Sequence, residues 1–382
     1  MNDTDILPIN KATAYAGGEL TCAFGCAGSI YIGATDGYLS RIVDKVDTIR
    51  RVRANTTNAM YESDDSNNYE LSLTRTLWSV RVCMHAITSV CSIEELNKGT
   101  LIIVGSAGGE LVILREDLEL RRFNLDSAVQ HICVDQDGEL IAGDLLGNLY
   151  GITQHEIIWK RRLPSMSTRN EVGLDYFYPP LSQPTIKAIS HVKLLDVEKT
   201  LSKYLLVATG QKQLLMTYRG KTFGIIPTCT PIATLTSIPF DDEDIVLAAG
   251  EEGVIYRVMS SQDIDSKVMP NFCFVVKKWT QVSFPVAKLL PLKMKVSGTN
   301  AKHSDYAYIC LGVDGEVALF RGQELVKEWS LASFSKTCNV EADFPVDMTL
   351  LHDGDTNIGQ QVGIIVYPKR IHAFPIGLAS QQ

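Results

Sequence analysis

The stretch LIIVGSAGGELVILR, residues 101–115, decides how the chain is read. Its arms, LIIV and LVIL, are apolar and rich in β-branched residues, and Gly105, Gly108 and Gly109 supply the backbone freedom that a tight turn between strands requires. One such hairpin decides little, but this one recurs. SIYIGATDGYLSRIV (29–43) turns at Asp36 and Gly37, ELIAGDLLGNLYGIT (139–153) at Gly147, IVLAAGEEGVIYRV (245–258) at Gly253, and YICLGVDGEVALF (308–320) at Asp314 and Gly315. Two copies lack the turn glycine. YLLVATGQKQLLMTY (204–218) has Lys212 in that place, and VGIIVYPKRIHAF (362–374) has Lys369 beside Pro368.

A hairpin repeated seven times along one chain is an internal repeat, each unit burying its faces only against its neighbours. The intervals from Gly109 to Gly147 and from Lys212 to Gly253 match the roughly 40-residue length of a four-stranded propeller blade. The longer intervals require insertions at about 44–76, 164–184 and 261–302. The first holds the polar, acidic run YESDDSNNYE, and the second, PSMSTRNEVGLDYFYPPLSQP, is bounded by prolines. Each of the four tryptophans follows a hairpin: Trp78, Trp159, Trp279 and Trp329, with Phe123 in the same place after the turn at Gly109. A large aromatic repeated there is suited to packing between adjacent blades.

Apolar positions alternate with a period of two and form no sustained helical stripe; only residues 94–97 read as a short helical turn. The expectation is an all-β chain, a seven-bladed β-propeller of non-WD40 type with loop insertions, spanning residues 15–377. An N-terminal segment (1–14) precedes it and a short tail (378–382) follows. The last hairpin is expected to complete a blade with N-terminal residues, closing the ring and removing exposed strand edges.

Composition narrows the function classes. Of 382 residues, 45% are hydrophobic and 21% charged, enough for a large core and unlike a disordered chain. The net charge of −8 argues against nucleic acid as the main partner. The sequence shows no secretory leader and no apolar run long enough to span a bilayer. The nine cysteines are scattered and set mostly in apolar runs, which suits buried free thiols in a reducing, cytoplasmic compartment.

The repeats lack the Gly-His and Trp-Asp dipeptides of WD40 blades. AGDLLGNLYGITQHEIIWKRRLP (142–164) instead resembles a quinoprotein-type blade, and LLHDGDTNIGQQVGIIVYPKRIHAF (350–374) resembles an FG-GAP-type repeat. TLWSVRVCMHAITSVCSIEELNKGTLIIVGSAGGELVILRE (76–116) is similar, in the order of its parts, to a blade of subunit 1 of the BBSome, a coat-like complex carrying cargo in cilia. Kaptin-like proteins carry propellers of the same mixed type. This resemblance implies a non-enzymatic scaffold or adaptor in a multi-subunit cytosolic assembly that traffics ciliary membrane proteins, with a small GTPase among its contacts. No appendage domain or coiled coil follows the propeller here, as one does in most BBSome subunits.

Candidate chemistry is sparse. Asp353, Asp355 and Asn357 alternate as calcium ligands do, but Gln360 and Gln361 stand where the closing carboxylate belongs, so a solvated turn is the better reading. Cys22 and Cys26 share a strand face without a second pair for zinc, and the seven histidines lack metal-site spacing. No phosphate loop, dinucleotide fingerprint or nucleophile elbow is present, so no catalytic residue, metal or cofactor is assigned. A site assembled around the channel from distant residues would leave no such motif. A quinoprotein-like enzyme, or a free-standing propeller taking a short peptide in its channel mouth, are the alternatives. For protein partners the candidate contacts are Tyr176, Phe177 and Tyr178 on the Pro-bounded insertion, Arg50, Arg51 and Arg53 beside the acidic insertion, and Lys160, Arg161 and Arg162 after Trp159. The acidic run Asp241, Asp242, Glu243 and Asp244 reads as a solvated loop.

Overall fold

The computed structural model describes residues 18–26, 28–42, 50–51, 69–70, 76–95, 99–134, 138–164, 185–195, 201–239, 243–260, 274–292, 306–330, 344–352 and 361–376. These residues form strands and turns, with no helix among them. The first sheet holds β1 (Leu20–Cys26), β2 (Ser29–Ala34), β3 (Tyr38–Ile42) and β6 (Thr76–Arg81), with β4 (Arg50–Arg51) and β5 (Tyr69–Glu70) paired separately between β3 and β6. The second holds β7 (Ile87–Glu95), β8 (Gly99–Ser106), β9 (Glu110–Arg115) and β10 (Leu118–Asn124). The third holds β11 (Val129–Val134), β12 (Leu140–Asp144), β13 (Asn148–Ile152) and β14 (Ile157–Arg162). The fourth comprises β15 (Ala188–Leu195), β16 (Leu201–Ala208), β17 (Gln213–Tyr218) and β18 (Lys221–Pro227), and the fifth β19 (Ile232–Ile238), β20 (Ile245–Gly250), β21 (Val254–Ser260) and β22 (Phe274–Gln281). The sixth comprises β23 (Val286–Leu292), β24 (Ala307–Gly312), β25 (Glu316–Arg321) and β26 (Glu324–Ser330). A three-stranded sheet, β27 (Asp347–His352), β28 (Gln361–Tyr367) and β29 (Arg370–Ile376), ends the described chain.

All these sheets are antiparallel meanders, and the chain is a β-propeller. The described residues complete six four-stranded blades rather than the expected seven. The last hairpin lies in the three-stranded sheet, and the N-terminal residues expected to supply its fourth strand, 1–17, lie outside the described residues. The helical turn expected at 94–97 is corrected in part: Glu94 and Glu95 continue β7, paired with Thr100 and Gly99.

Five of the hairpin turns are built by the same local chemistry. Gly37, Gly109, Gly147, Gly253 and Gly315 all have positive φ, and each donates its N–H to the carbonyl three residues back. That is a type I turn closed by a left-handed glycine. At Gly37 a side chain is excluded twice over, because a Cβ there would sit 2.0 Å from the Cys83 carbonyl oxygen. The carbonyls of Gly37, Gly109, Gly147 and Gly253 in turn accept the N–H of Val82, Leu125, Leu163 and Val282, tying each turn to the segment after its outer strand.

The core is not central but divided into wedges between neighbouring sheets. Ile30, Ile32, Leu351 and Ile364 fill the wedge between the first and last sheets, and Leu206, Val246, Ala248 and Phe274 that between the fourth and fifth. Middle strands such as β12 and β13 are buried on both faces, so their sequences are continuous apolar runs rather than alternating ones. The tryptophans lie in the outer strands and do bridge sheets. Trp159 abuts Gly220 of the fourth sheet, Trp279 stacks on Tyr306 with centroids 6.4 Å apart, and Trp329 lies 5.4 Å from Phe374 of the last sheet.

Candidate functional site

The first strand of each sheet is its inner edge, and β1, β7, β11, β15, β19, β23 and β27 pack in succession, with β27 returning to β1, around a channel. An inner edge leaves backbone N–H and C=O groups without a partner in their own sheet. Side chains of adjacent sheets supply partners. The N–H groups of Ala23 and Gly25 donate to Asp347 Oδ2 and Thr349 Oγ1, both at 2.8 Å, and that of Leu289 to Thr234 Oγ1 at 3.2 Å. The N–H groups of Lys193 and Leu195 donate to Asp244 Oδ2 at 2.8 Å and Glu243 Oε2 at 3.2 Å. In the opposite sense, Thr88 Oγ1 donates to the Val129 carbonyl at 2.6 Å.

Where the inner strands begin, an ion pair joins β23 to β27. Lys288 Nζ pairs with Asp347 Oδ1, and Met348 N–H also donates to that oxygen. His131 stands nearby in β11. Burial, reinforced by the Lys288 ammonium and opposed by Asp347, pushes its imidazole down to about 4, so it is neutral at physiological pH.

Where the inner strands run out, a cavity of about 480 Å³ opens among six of them. Phe24, Ile132, Val134, Ile189, Leu235 and Pro291 give it apolar walls, Ser92, Ser190, Thr236 and Ser237 add hydroxyls, and His191, Lys193, Lys203 and Asp244 add charge or polarity. Lys193 and Lys203 face each other across the β15–β16 pairing. Asp244 corrects the sequence reading of its run as solvated: it is only 5% exposed, because it is the carboxylate that seals the β15 edge. Asp241 and Asp242 lie outside the described residues. Cys91 and Cys133 also line the cavity. Burial raises the Cys91 thiol and pushes Cys22, Cys83 and Cys310 up to about 12, so these four stay protonated and poorly nucleophilic. Among the described residues no group of three or more His, Cys, Asp or Glu side chains could hold a metal ion.

The candidates named from sequence are not gathered in one place. Arg50 and Arg51 form β4, in register with Glu70 and Tyr69, and the connection carrying them leaves β3 at the end of the ring where the cavity opens. Tyr176, Phe177, Tyr178 and Arg53 lie outside the described residues. Lys160, Arg161 and Arg162 are exposed on β14, an outer edge. Strand alternation splits them: Lys160 pairs with Asp126 and lies 5.7 Å from the Tyr150 ring centroid, whereas Arg161 points with Trp159 toward Gly220. Asp353, Asp355 and Asn357 lie outside the described residues. The channel groups were missed because they come from different sheets. For Asp244 one signal existed: it abuts the fully apolar β20, where a solvated carboxylate is out of place.

Inner-edge sealing around a channel defines a β-propeller, and comparison with known proteins agrees at the level of fold. No family model matches the sequence, and no curated protein matches it significantly. Among solved structures, BBS1N in complex with ARL6DN is similar in two crystals. The mercury-soaked crystal aligns at TM-score 0.60 with 12% identity and the lead-soaked one at 0.60 with 13%, each over 100% of both chains. At such identity the likeness establishes the fold, and it matches the resemblance to BBSome-subunit propellers read from the repeats.

Proposed function

We propose that this chain is a non-enzymatic β-propeller scaffold, a subunit of a larger cytosolic assembly of the BBSome kind that moves ciliary cargo, with a small GTPase among its contacts. The observation that carries this reading is the full-length similarity to BBS1N, a propeller crystallised together with ARL6DN. The three-stranded sheet counts in this reading as a seventh blade, its fourth strand supplied by residues before β1, within a propeller of residues 15–377 and insertions near 44–76, 164–184 and 261–302.

A scaffold needs exposed apolar surface beside a rigid frame. Met84, Leu145, Leu146, Val313, Phe344 and Val346 are all exposed, in the turns and connections at the end where the inner strands begin. Met84 and Phe344 are the most exposed of these, at 67% and 60%. Tyr176, Phe177 and Tyr178, outside the described residues, are further candidate contacts. Arg50, Arg51 and Arg53 are a second candidate group, and Lys160, Arg161 and Arg162 a third on the rim.

The test is a tagged pull-down from native extract followed by size-exclusion chromatography and mass spectrometry. Co-elution at high mass with other propeller or coat-like subunits, and retention of a small GTPase in its GTP form but not its GDP form, is the expected result. Elution at monomer size with no stoichiometric partner overturns the subunit reading.

A further inference from the structure

The channel cavity gathers hydrogen-bond donors that no acceptor in the fold uses. Thr236 lines it and is only 6% exposed, yet its hydroxyl keeps accessible surface and has no hydrogen-bond partner among the described residues. Lys193 lines the same cavity, and its ammonium likewise makes no ion pair or hydrogen bond among the described residues. The fold brings the two together. Asp244 Oδ2 accepts the Lys193 backbone N–H at 2.8 Å and the hydroxyl of Ser237, the neighbour of Thr236, at 3.0 Å, so β15 and β19 meet at one carboxylate. That carboxylate offers a ligand nothing further, because Oδ2 is taken and Oδ1 has almost no accessible surface. Lys203, opposite Lys193 in the β15–β16 pairing, already has a partner.

A buried hydroxyl left unpaired is costly, and an acceptor that pairs with it recovers that cost on binding. Two donors facing one cavity, one of them charged, call for an anionic acceptor. A single available ammonium matches a single negative charge, and Phe24, Ile132, Ile189 and Leu235 supply apolar wall for the body behind it. A doubly charged phosphate ester would leave one charge unmet against that apolar wall. The volume, about 480 Å³, lies within the ~300–1,000 Å³ typical of small-ligand sites.

We propose that this cavity binds a monocarboxylate with an apolar body, its carboxylate held by Lys193 Nζ and Thr236 Oγ1. Two sources present that chemistry: a free medium-chain fatty acid, or the C-terminus of a peptide ending in an apolar residue. This site is separate from the assembly reading and stands or falls without it.

The test titrates the full chain, by calorimetry, with octanoate and with the peptide N-acetyl-Gly-Gly-Leu, each beside a neutral counterpart. The counterparts are octan-1-ol and the same peptide as its C-terminal amide. Saturable binding of one acid or both, at least about tenfold tighter than the neutral counterpart, is expected, as loss of one charge-assisted hydrogen bond would predict. Binding of octanoate alone identifies a fatty acid as the source, binding of the peptide alone a C-terminus, and binding of both assigns the site to their shared chemistry. Lys193→Met keeps the backbone N–H that Asp244 accepts, and is expected to weaken the acid by roughly tenfold while leaving the neutral counterpart unchanged. Thr236→Val keeps the side chain's shape without its hydroxyl, and is expected to weaken the acid by roughly fivefold. A thermal melt checks that each variant is folded. Absence of saturable binding to the parent chain overturns the proposal, as does equal affinity for each acid and its neutral counterpart, or parent affinity in a folded Lys193→Met. Should that variant not fold, unchanged affinity in Thr236→Val overturns it alone.

Discussion

His131 shows how a single residue ties the channel to solution conditions. Its imidazole sits at about 4 in the folded chain against an ordinary value of 6.5, with burial the main cause, Lys288 adding to it and Asp347 opposing it. The unfolded chain therefore takes up a proton between pH 6.5 and 4 that the folded chain refuses. Stability from this residue is complete above pH 6.5 and drains as pH falls toward 4. At about 1.4 kcal/mol per pH unit, the loss attributable to His131 reaches roughly 2–3 kcal/mol by pH 4.5. Urea midpoints of the parent and His131→Gln, measured from pH 7.5 to 4.5, should diverge in slope, with the variant falling less steeply. Parallel profiles would mean that His131 titrates as in an open peptide. None of this was legible in the sequence, where His131 is one of seven histidines without spacing, because the groups that shift it arrive from strands more than 150 residues away.

At the scale of the strand and sheet, the sequence was most informative. The hairpins were legible because their signals are local: a left-handed glycine closing a type I turn, and β-branched arms on either side. Where the signal weakened, at Lys212 and Lys369, the chain still turns, with the positive φ moved to Gly210 in the fourth sheet and none among the described residues of the turn at Lys369. The outer-strand tryptophans were legible for a related reason, since each recurs at one point of the repeat. Trp329 tests their role. It is 7% exposed, lies 5.4 Å from the Phe374 centroid and shares a wedge with Leu292, Ile309, Ile365 and Tyr367. Trp329→Ala should cost about 3–5 kcal/mol, the usual range for emptying a buried aromatic site. Hydrogen exchange should quicken in β28 and β29 as well as in β26. Faster exchange confined to β26 would mean that the last sheet does not depend on this contact. The partner-contact candidates, by contrast, were read from charge and aromatic content alone. Strand alternation then divided Lys160 from Arg161, and Tyr176, Phe177 and Tyr178 lie outside the described residues.

For the whole molecule the deciding feature is the seam where the chain meets itself. Ala23 and Gly25 bond to Asp347 and Thr349 across 324 residues of sequence, and Leu20 N–H reaches the Pro368 carbonyl at 2.7 Å. Such distant pairing sets a large loop-closure cost before its contacts can repay it, which favours late closure during folding. The seam also leaves no room for a side chain at Gly25, where a Cβ would lie 1.9 Å from the Leu350 carbonyl oxygen. Backbone cannot give way there as a flexible side chain would. Gly25→Ala should therefore part β1 from β27, expose the wedge of Ile30, Ile32, Leu351 and Ile364, and cost more than about 3 kcal/mol, beyond the ordinary range for one substitution. Gly224→Ala is the matched control, because a Cβ at Gly224 would meet only Met216 atoms at ordinary contact distances from 3.4 Å. The expected outcome is a larger Stokes radius and new protease cleavage near both seam strands in Gly25→Ala, with Gly224→Ala unchanged. Equal radius, melting temperature and cleavage in the two variants would show that the ring does not rely on this seam, and that each sheet is held by its neighbours alone.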